Sequence, residues 1–287
     1  MLNYETFKIE LQKELDERNI ETEEKVISKN NAVKKERIMC KCKGKNMFPL
    51  IDLKELFELY EQKGMQSCMV YIQKSFEAEN EIPSKTQYET WEHAKQYIRP
   101  EVIHAEWNSE FLKDMPHLKY LNLAIIFRFI IAESEEGMAS TVITNQFLKH
   151  WDIQLNDLLE EGMKNLYKQK FTIESIYKKI GLPETEIENA GIEMYVMSNT
   201  TYQRGAVAIM RPDLLSAFAE GIKSDLYIIP SSVHELILLP LDESADTSAM
   251  KEMIRETNQL KVDQEEWLSD SLYCFRRESG EVEIAVA

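Results

Sequence analysis

Long apolar runs are missing from this chain. The longest, Leu121 to Ala132, is interrupted by Asn122 and Arg128 and falls short of the roughly 20 residues a membrane-spanning helix needs, so no membrane span is expected. Glycine and proline are scarce, nine and eight in 287 residues, which argues against fibrous and low-complexity chains. Positive charge is in deficit: 34 Lys and Arg stand against 50 Asp and Glu, a formal net charge of -16, and this opposes general binding to a phosphate backbone. Only four cysteines occur, Cys40, Cys42, Cys68 and Cys274. The N-terminus opens on an amphipathic pattern without an apolar signal segment; reduced thiols and a cytoplasmic location are expected. No Gly-x-Gly-x-x-Gly is present, and Gly44-Lys45 is followed by Asn46, so nucleotide binding by those routes is disfavoured. No cofactor is expected.

What is present describes an ordered protein. A hydrophobic content of 44% with 29% charged residues matches a globular chain rich in helix. The length suggests two domains or one large one. A boundary is placed between 1–99 and 100–287, with the polar, acidic stretch Leu182 to Gly191 as the alternative. The acid surplus is uneven. Between Lys25 and Lys45 eight basic side chains face the single acid Glu36, an island of cations in an acidic protein.

Periodicity orders the elements. Tyr4, Phe7, Leu11 and Leu15 recur at helical spacing. Lys25 to Ser28 and Val33 to Cys42 are predicted strands joined at Asn30-Asn31, residues that tolerate left-handed backbone, and Lys43 to Asn46 offers another turn. Asp52 with Glu55 has capping-box spacing ahead of the stripe Leu53, Leu56, Phe57, Tyr60, and Gly64 is a stop. Further helices are predicted at Gln66 to Phe76, from Tyr88 to Ile98, at Asn108 to Asp114, and at Ile173 to Ile180; Thr144 and Asn156 or Asp157 are candidate caps of two more. Tyr120 to Ile131 is a predicted central strand. Beyond the acidic stretch come strands at Glu193 to Ser198 and Ala206 to Met210, a helix from Pro212 through Ile222, strands at Leu226 to Ile229 and Glu235 to Leu239, helices at Thr247 to Asn258 and Gln264 to Leu268, and a last strand pair at Leu272 to Arg276 and Val282 to Val286. The class is α+β, with mixed, mainly antiparallel sheets and packed helices: an N-terminal helix and β-hairpin followed by helices, then a C-terminal ββαββ unit.

Two segments invite chemistry. Asp225 to Pro240, DLYIIPSSVHELILLP, sets Ser231, Ser232, His234 and Glu235 between two apolar runs. A hydrolase or transferase would use Ser232 as nucleophile and His234 as base. In extended backbone, however, neighbouring side chains project to opposite faces, which separates His234 from Glu235. The serine also lacks Gly-x-Ser-x-Gly surroundings, and Leu238 stands where a helical zinc motif would carry a second histidine. Hydroxyls capping backbone groups at a hairpin end are the favoured reading. The second segment is the basic strand. Its parity sorts Ile38, Cys40 and Cys42 to one face and Lys35, Arg37, Lys41, Lys43 and Lys45 to the other. The thiols are read as small core hydrophobes rather than half a metal site. The cation row would track nucleic acid, discourage edge-to-edge pairing, or dock on the acidic remainder of the molecule. His93, His104, His117 and His150, scattered among aromatic and apolar neighbours, are predicted to be singly packed.

The strings NAVKKERI, HLKYLNLAIIF, RGAVAIMRPDLLSAFAEGIKSDLYIIPSSVHELILLP and EEWLSDSLYCF, in this order, resemble a Clostridia-type bacterial family of uncharacterised proteins, domain of unknown function 5688, over nearly the full length. The resemblance implies a bacterial cytoplasmic protein and transfers no catalytic or binding residue. It also singles out Asn122, where relatives are expected to carry Asp. The expected function is a non-enzymatic protein that binds a protein or small-molecule partner through Ser231, Ser232, His234, Glu235 and the basic strand. The alternatives are catalysis by Ser232 and His234, or nucleic-acid binding through residues 35–45.

Overall fold

Two compact units, Met1–Ser84 and Lys85–Ala287, divide the chain. The computed structural model describes residues 2–41, 50–78, 86–134, 137–182 and 193–285. Residues 85–99, assigned to the N-terminal region by sequence, belong to the second unit because Tyr88, Trp91, Ala94 and Ile98 pack into its core. The predicted turn at Lys43 to Asn46, the link Glu79 to Lys85, and all but the start of the acidic stretch lie outside the described residues.

In the first unit, helix α1 (Tyr4–Glu17) buries Phe7, Leu11 and Leu15, one side chain per turn, and its first turn is capped by the Asn3 side chain, which accepts the Thr6 N–H. Strands β1 (Glu21–Ser28) and β2 (Lys34–Lys41) form an antiparallel hairpin. Between them Asn31 takes φ 58°, a left-handed value that asparagine tolerates better than most residues. Strand β3 (Leu50–Asp52) pairs with the other edge of β2. The Asp52 carboxylate then accepts the N–H groups of Lys54 and Glu55 to start α2 (Leu53–Lys63), which Gly64 ends at φ 78° before α3 (Met65–Ala78). Ile38 and Cys40 face the core formed with Phe7, Leu56 and Ile72.

The second unit opens with single turns α4 (Thr86–Glu89) and α5 (Trp91–Ala94). Its four-stranded sheet is built around the long strand β6 (Leu123–Ser134). Strand β4 (Ile98–His104) occupies one edge of β6, and β5 (Leu118–Tyr120) and β7 (Gly137–Val142) follow each other along the opposite edge. The single turn α6 (Ser109–Leu112) precedes β5. Pro100 lies inside β4, where a missing N–H is tolerated because β4 is an edge strand. Helices α7 (Asn145–Trp151) and α8 (Leu155–Lys168) follow; α8 starts at a reciprocal box between Gln154 and Asp157, so Asp157 sits within the first turn and Gln154 is the cap. At Gly162 a Cβ would stand 2.8 Å from Phe127 Cε1. Glycine there lets α8 lie directly over the sheet, covering Phe127, whose complete burial contributes roughly 2–3 kcal/mol.

A second sheet has the order β13-β12-β10-β11-β9-β8, antiparallel throughout. Its members are β8 (Phe171–Ser175), β9 (Tyr195–Asn199), β10 (Leu226–Ile229), β11 (Leu236–Pro240), β12 (Tyr273–Arg276) and β13 (Glu281–Ile284). Between them run α9 (Ile176–Lys179), α10 (Pro212–Ile222) and α11 (Thr247–Lys261).

Four predicted elements change character, one being the predicted helix Gln264 to Leu268, of which only Gln264–Glu266 forms a single 3-10 turn. Ile173 to Ile180 splits into strand β8 and the single turn α9, because Ile173 and Ser175 pair with Met197 and Tyr195. Ala206 to Met210 is a 3-10 segment, Gly205–Met210, with Ala206 to Ile209 all buried; a short run buried all round carries no period that separates strand from helix. The predicted helix ending at Ile98 closes as a 3-10 turn at Lys95–Tyr97, after which β4 begins. No helix among the described residues is long and apolar enough to cross a membrane.

Candidate functional site

The Pro230 to Glu235 segment is a loop between β10 and β11, and its polar groups are engaged by backbone and side-chain partners. Ser232 Oγ accepts the His234 N–H at 3.0 Å, and the Val233 N–H is donated to the Glu266 carbonyl at 2.8 Å. The His234 ring turns elsewhere. Its Nδ1 accepts the Arg204 N–H at 3.2 Å, and its Nε2 lies 3.4 Å from Glu266 Oε1; an accepting Nδ1 requires the neutral ring to carry its proton on Nε2. Glu235 points to Lys179 at 3.6 Å and to the Ser231 hydroxyl at 3.5 Å. The serine, imidazole and carboxylate are therefore dispersed. The loop braces the turn before the 3-10 segment. At Gly205 a Cβ would meet Ser198 Oγ, would stand 2.5 Å from the His234 carbonyl oxygen and 2.8 Å from the Asn199 nitrogen, and only hydrogen fits.

Along β2, Lys35 and Arg37 lie 3.8 and 4.0 Å from the Asp52 carboxylate, and Lys41 pairs with Glu21 at 2.8 Å and Glu23 at 3.9 Å. These cations meet acids of their own unit. Cys42, Lys43 and Lys45 lie outside the described residues. Burial pushes the Cys40 thiol up to about 11, which suits a core hydrophobe. Among the described residues no cluster of His, Cys, Asp and Glu has the arrangement of a metal site.

Of the four other histidines only His104 is buried, stacked on Trp107 at 3.9 Å; His93, His117 and His150 are exposed. Their apolar sequence neighbours point inward from helix faces and turns that turn the imidazoles outward. Asn122 joins two segments distant in sequence: its amide donates to Ser269 Oγ and Ser271 Oγ at 3.0 and 3.1 Å, and its carbonyl accepts the Tyr273 hydroxyl at 2.7 Å. An aspartate here would lose both donations.

A different site, invisible as a motif, lies in the second unit. Among the described residues a cavity of about 490 Å³ is lined by five cations, Arg99, Arg128, Lys168, Lys170 and Arg204, and by a single acid, Glu101. In a chain of net charge -16 this concentration runs against the composition. Strand register explains the assembly. Arg99 stands directly opposite Arg128 across β4 and β6, with Glu101 two residues along the same face. Like charges in facing positions are destabilising, on the order of 0.5 kcal/mol. Glu101, itself buried, offsets that repulsion: Arg128 Nε donates to its carboxylate at 2.6 Å, and Arg204 Nε lies 3.6 Å away. Burial alone would raise the Glu101 carboxyl, yet the Arg128 and Arg204 guanidiniums bring it below the usual carboxylate range.

The remaining walls are equally specific. Arg204 holds φ 55° and Tyr202 φ 52°, left-handed conformations that cost free energy in residues with a Cβ and are retained by the Asn199 side chain, which accepts the Gln203 N–H and donates to the Gln203 carbonyl. Asn165 on α8 donates to the Lys95 and Ile98 carbonyls at 2.7 and 3.0 Å, tying the helix to the start of β4. Neither Lys168 nor Lys170 pairs with an acid among the described residues. His234 meets this site through the backbone N–H of Arg204 and lies near enough to act electrostatically on Glu101. The one sequence signal for the cavity was the charge of Arg128 inside the longest apolar run.

A family model described as a family of unknown function (DUF5688) matches residues 4–277. No curated protein and no solved structure matches the chain.

Proposed function

Because the chain belongs to the DUF5688 family, whose description assigns no activity, we propose its role from the cavity itself: the protein binds a small anionic ligand between β4, β6, the end of α8 and the Asn199 to Arg204 turn. The observation that carries this reading is the gathering of Arg99, Arg128, Lys168, Lys170 and Arg204 around one buried carboxylate. A facing arginine pair and left-handed backbone at Arg204 are costly features that an empty surface would not require. The cavity volume lies within the usual range for small-molecule sites. Binding is favoured over hydrolysis at Pro230 to Glu235 because Ser232 Oγ is occupied by the His234 N–H and the ring nitrogens by Arg204 and Glu266.

The test is unfolding in pyrophosphate compared with sodium chloride of equal ionic strength. All four tryptophans, Trp91, Trp107, Trp151 and Trp267, lie in the second unit, so their fluorescence follows the unit that contains the cavity. Saturable stabilisation is expected, reaching about 2.7 kcal/mol at a hundredfold excess over Kd, and it should be lost in an Arg204→Gln, Lys170→Gln double variant. Equal effects of the two salts would refute the reading.

A further inference from the structure

Resting on that reading, we propose that the ligand is a phosphomonoester of a polyol, such as a sugar phosphate, rather than a nucleotide or a simple polycarboxylate. The composition of the cavity wall separates these classes. Among the described residues its only apolar members are Pro100, Ile130 and Val207, and no Phe, Tyr or Trp lines it. A nucleobase would find no ring to stack on, although base stacking is a main source of affinity where bases are bound. The aromatic side chains nearby are engaged elsewhere: Tyr202 lies under Lys179 Nζ at 3.8 Å, and Tyr167 under the Arg211 guanidinium at 4.5 Å.

The uncharged wall consists of amides and hydroxyls, chiefly Gln96, Gln169, Thr200, Thr201 and Gln203. Such groups offer donors and acceptors in mixture. A polycarboxylate or a polyphosphate presents acceptors alone and would leave the amide carbonyls unmatched, whereas a polyol hydroxyl both donates and accepts. The charged wall answers a different group. Arg128 and Arg204 hold Glu101 while Arg99 lines the same cavity opposite Arg128, and guanidinium forks are suited to the oxygens of a phosphate. An inorganic phosphate alone would occupy a small part of about 490 Å³ and leave the Thr200 to Gln203 wall in contact with water.

Calorimetric titration of the full chain with glucose 6-phosphate, ribose 5-phosphate, adenosine monophosphate, glucose, citrate and inorganic phosphate tests the proposal. The sugar phosphates are expected to bind at least about tenfold more tightly than inorganic phosphate or citrate. Glucose alone should not register, and adenosine monophosphate should gain nothing over ribose 5-phosphate. A Thr200→Val, Gln203→Met variant, which alters a hydroxyl and an amide but no cation of the wall, is expected to lose about that tenfold preference for sugar phosphates over inorganic phosphate. Sugar phosphates binding no better than inorganic phosphate or citrate would overturn the polyol assignment and leave the anion site standing, as would a clear gain from the adenine base. No binding of any anion would overturn both.

Discussion

Replacing Glu101 by glutamine removes the one negative charge in the cavity wall among the described residues and leaves the shape of the side chain nearly unchanged. The Glu101 side chain is 4% exposed and accepts Arg128 Nε at 2.6 Å, with Arg204 Nε at 3.6 Å. Taking one partner from a fully buried ion pair costs about 3–5 kcal/mol because the other charge is stranded. Here the arginine side chains keep 15% and 26% of their exposure and recover part of their hydration, so the expected loss is about 2 kcal/mol. With a urea dependence of about 2 kcal/mol per molar, the midpoint read by tryptophan fluorescence should fall by about 1 M at neutral pH. The pH dependence has a definite sign. The arginines hold the Glu101 carboxyl below its ordinary value, so its contribution is fully present above the unfolded value of about 4.3 and is lost as pH falls through the folded value. Wild type and Glu101→Gln should therefore differ most near neutrality and converge in acid, other carboxylates cancelling in the comparison. Inorganic phosphate should narrow the neutral gap by supplying the missing negative charge to the arginines. An unchanged midpoint, or a gap that is the same at every pH, would refute the account of the site.

Gly205→Ala forces a Cβ to within 2.5 Å of the His234 carbonyl oxygen; a loss of about 2 kcal/mol is expected from the overpacking, together with weakened pyrophosphate binding, both measurable in the urea and salt titrations. Ser232→Ala should cost about 1 kcal/mol by leaving the His234 N–H without its acceptor. Neither it nor the wild type should react with a serine-directed fluorophosphonate, and labelling that disappears in the variant would restore the hydrolase reading. Cys40 and Cys274, both pushed up to about 11 with burial as the leading cause, and Cys68, raised by burial, should react with a thiol reagent only on unfolding. In a Cys42→Ser variant, rapid colour development with a disulfide reagent at about pH 8 would contradict their burial.

Helix α10 begins at Pro212 and ends at Ile222 as its sequence predicts, because proline at the first helical position and the following apolar spacing act within a few residues. The same holds for the Asp52 cap, the Gly64 stop and the alternation that buries Ile38 and Cys40. Strand β8 is not distinguishable in the sequence because its five residues, all half-buried except the exposed Glu174 and paired with β9, have too short a pattern to exclude a helix turn. The Ser231 to Glu235 segment was conspicuous because four of its five residues are polar. Its polar contacts with Arg204, Glu266 and Lys179 come from residues distant in the chain.

Local order at Asp52, Gly64, Pro212 and the alternating face of β2, together with the α+β class, was determined by the sequence alone, since those preferences operate over one or two turns of chain. The anion cavity was decided by tertiary structure. Its residues span Gln96 to Val207, and their union depends on the register that sets Arg99 against Arg128, on the bare Gly162 that admits α8 over Phe127, and on the close approach at Gly205 that holds Arg204 at the rim. Charges far apart in sequence acquire a common field only when strand pairing and helix packing bring them within a few ångströms.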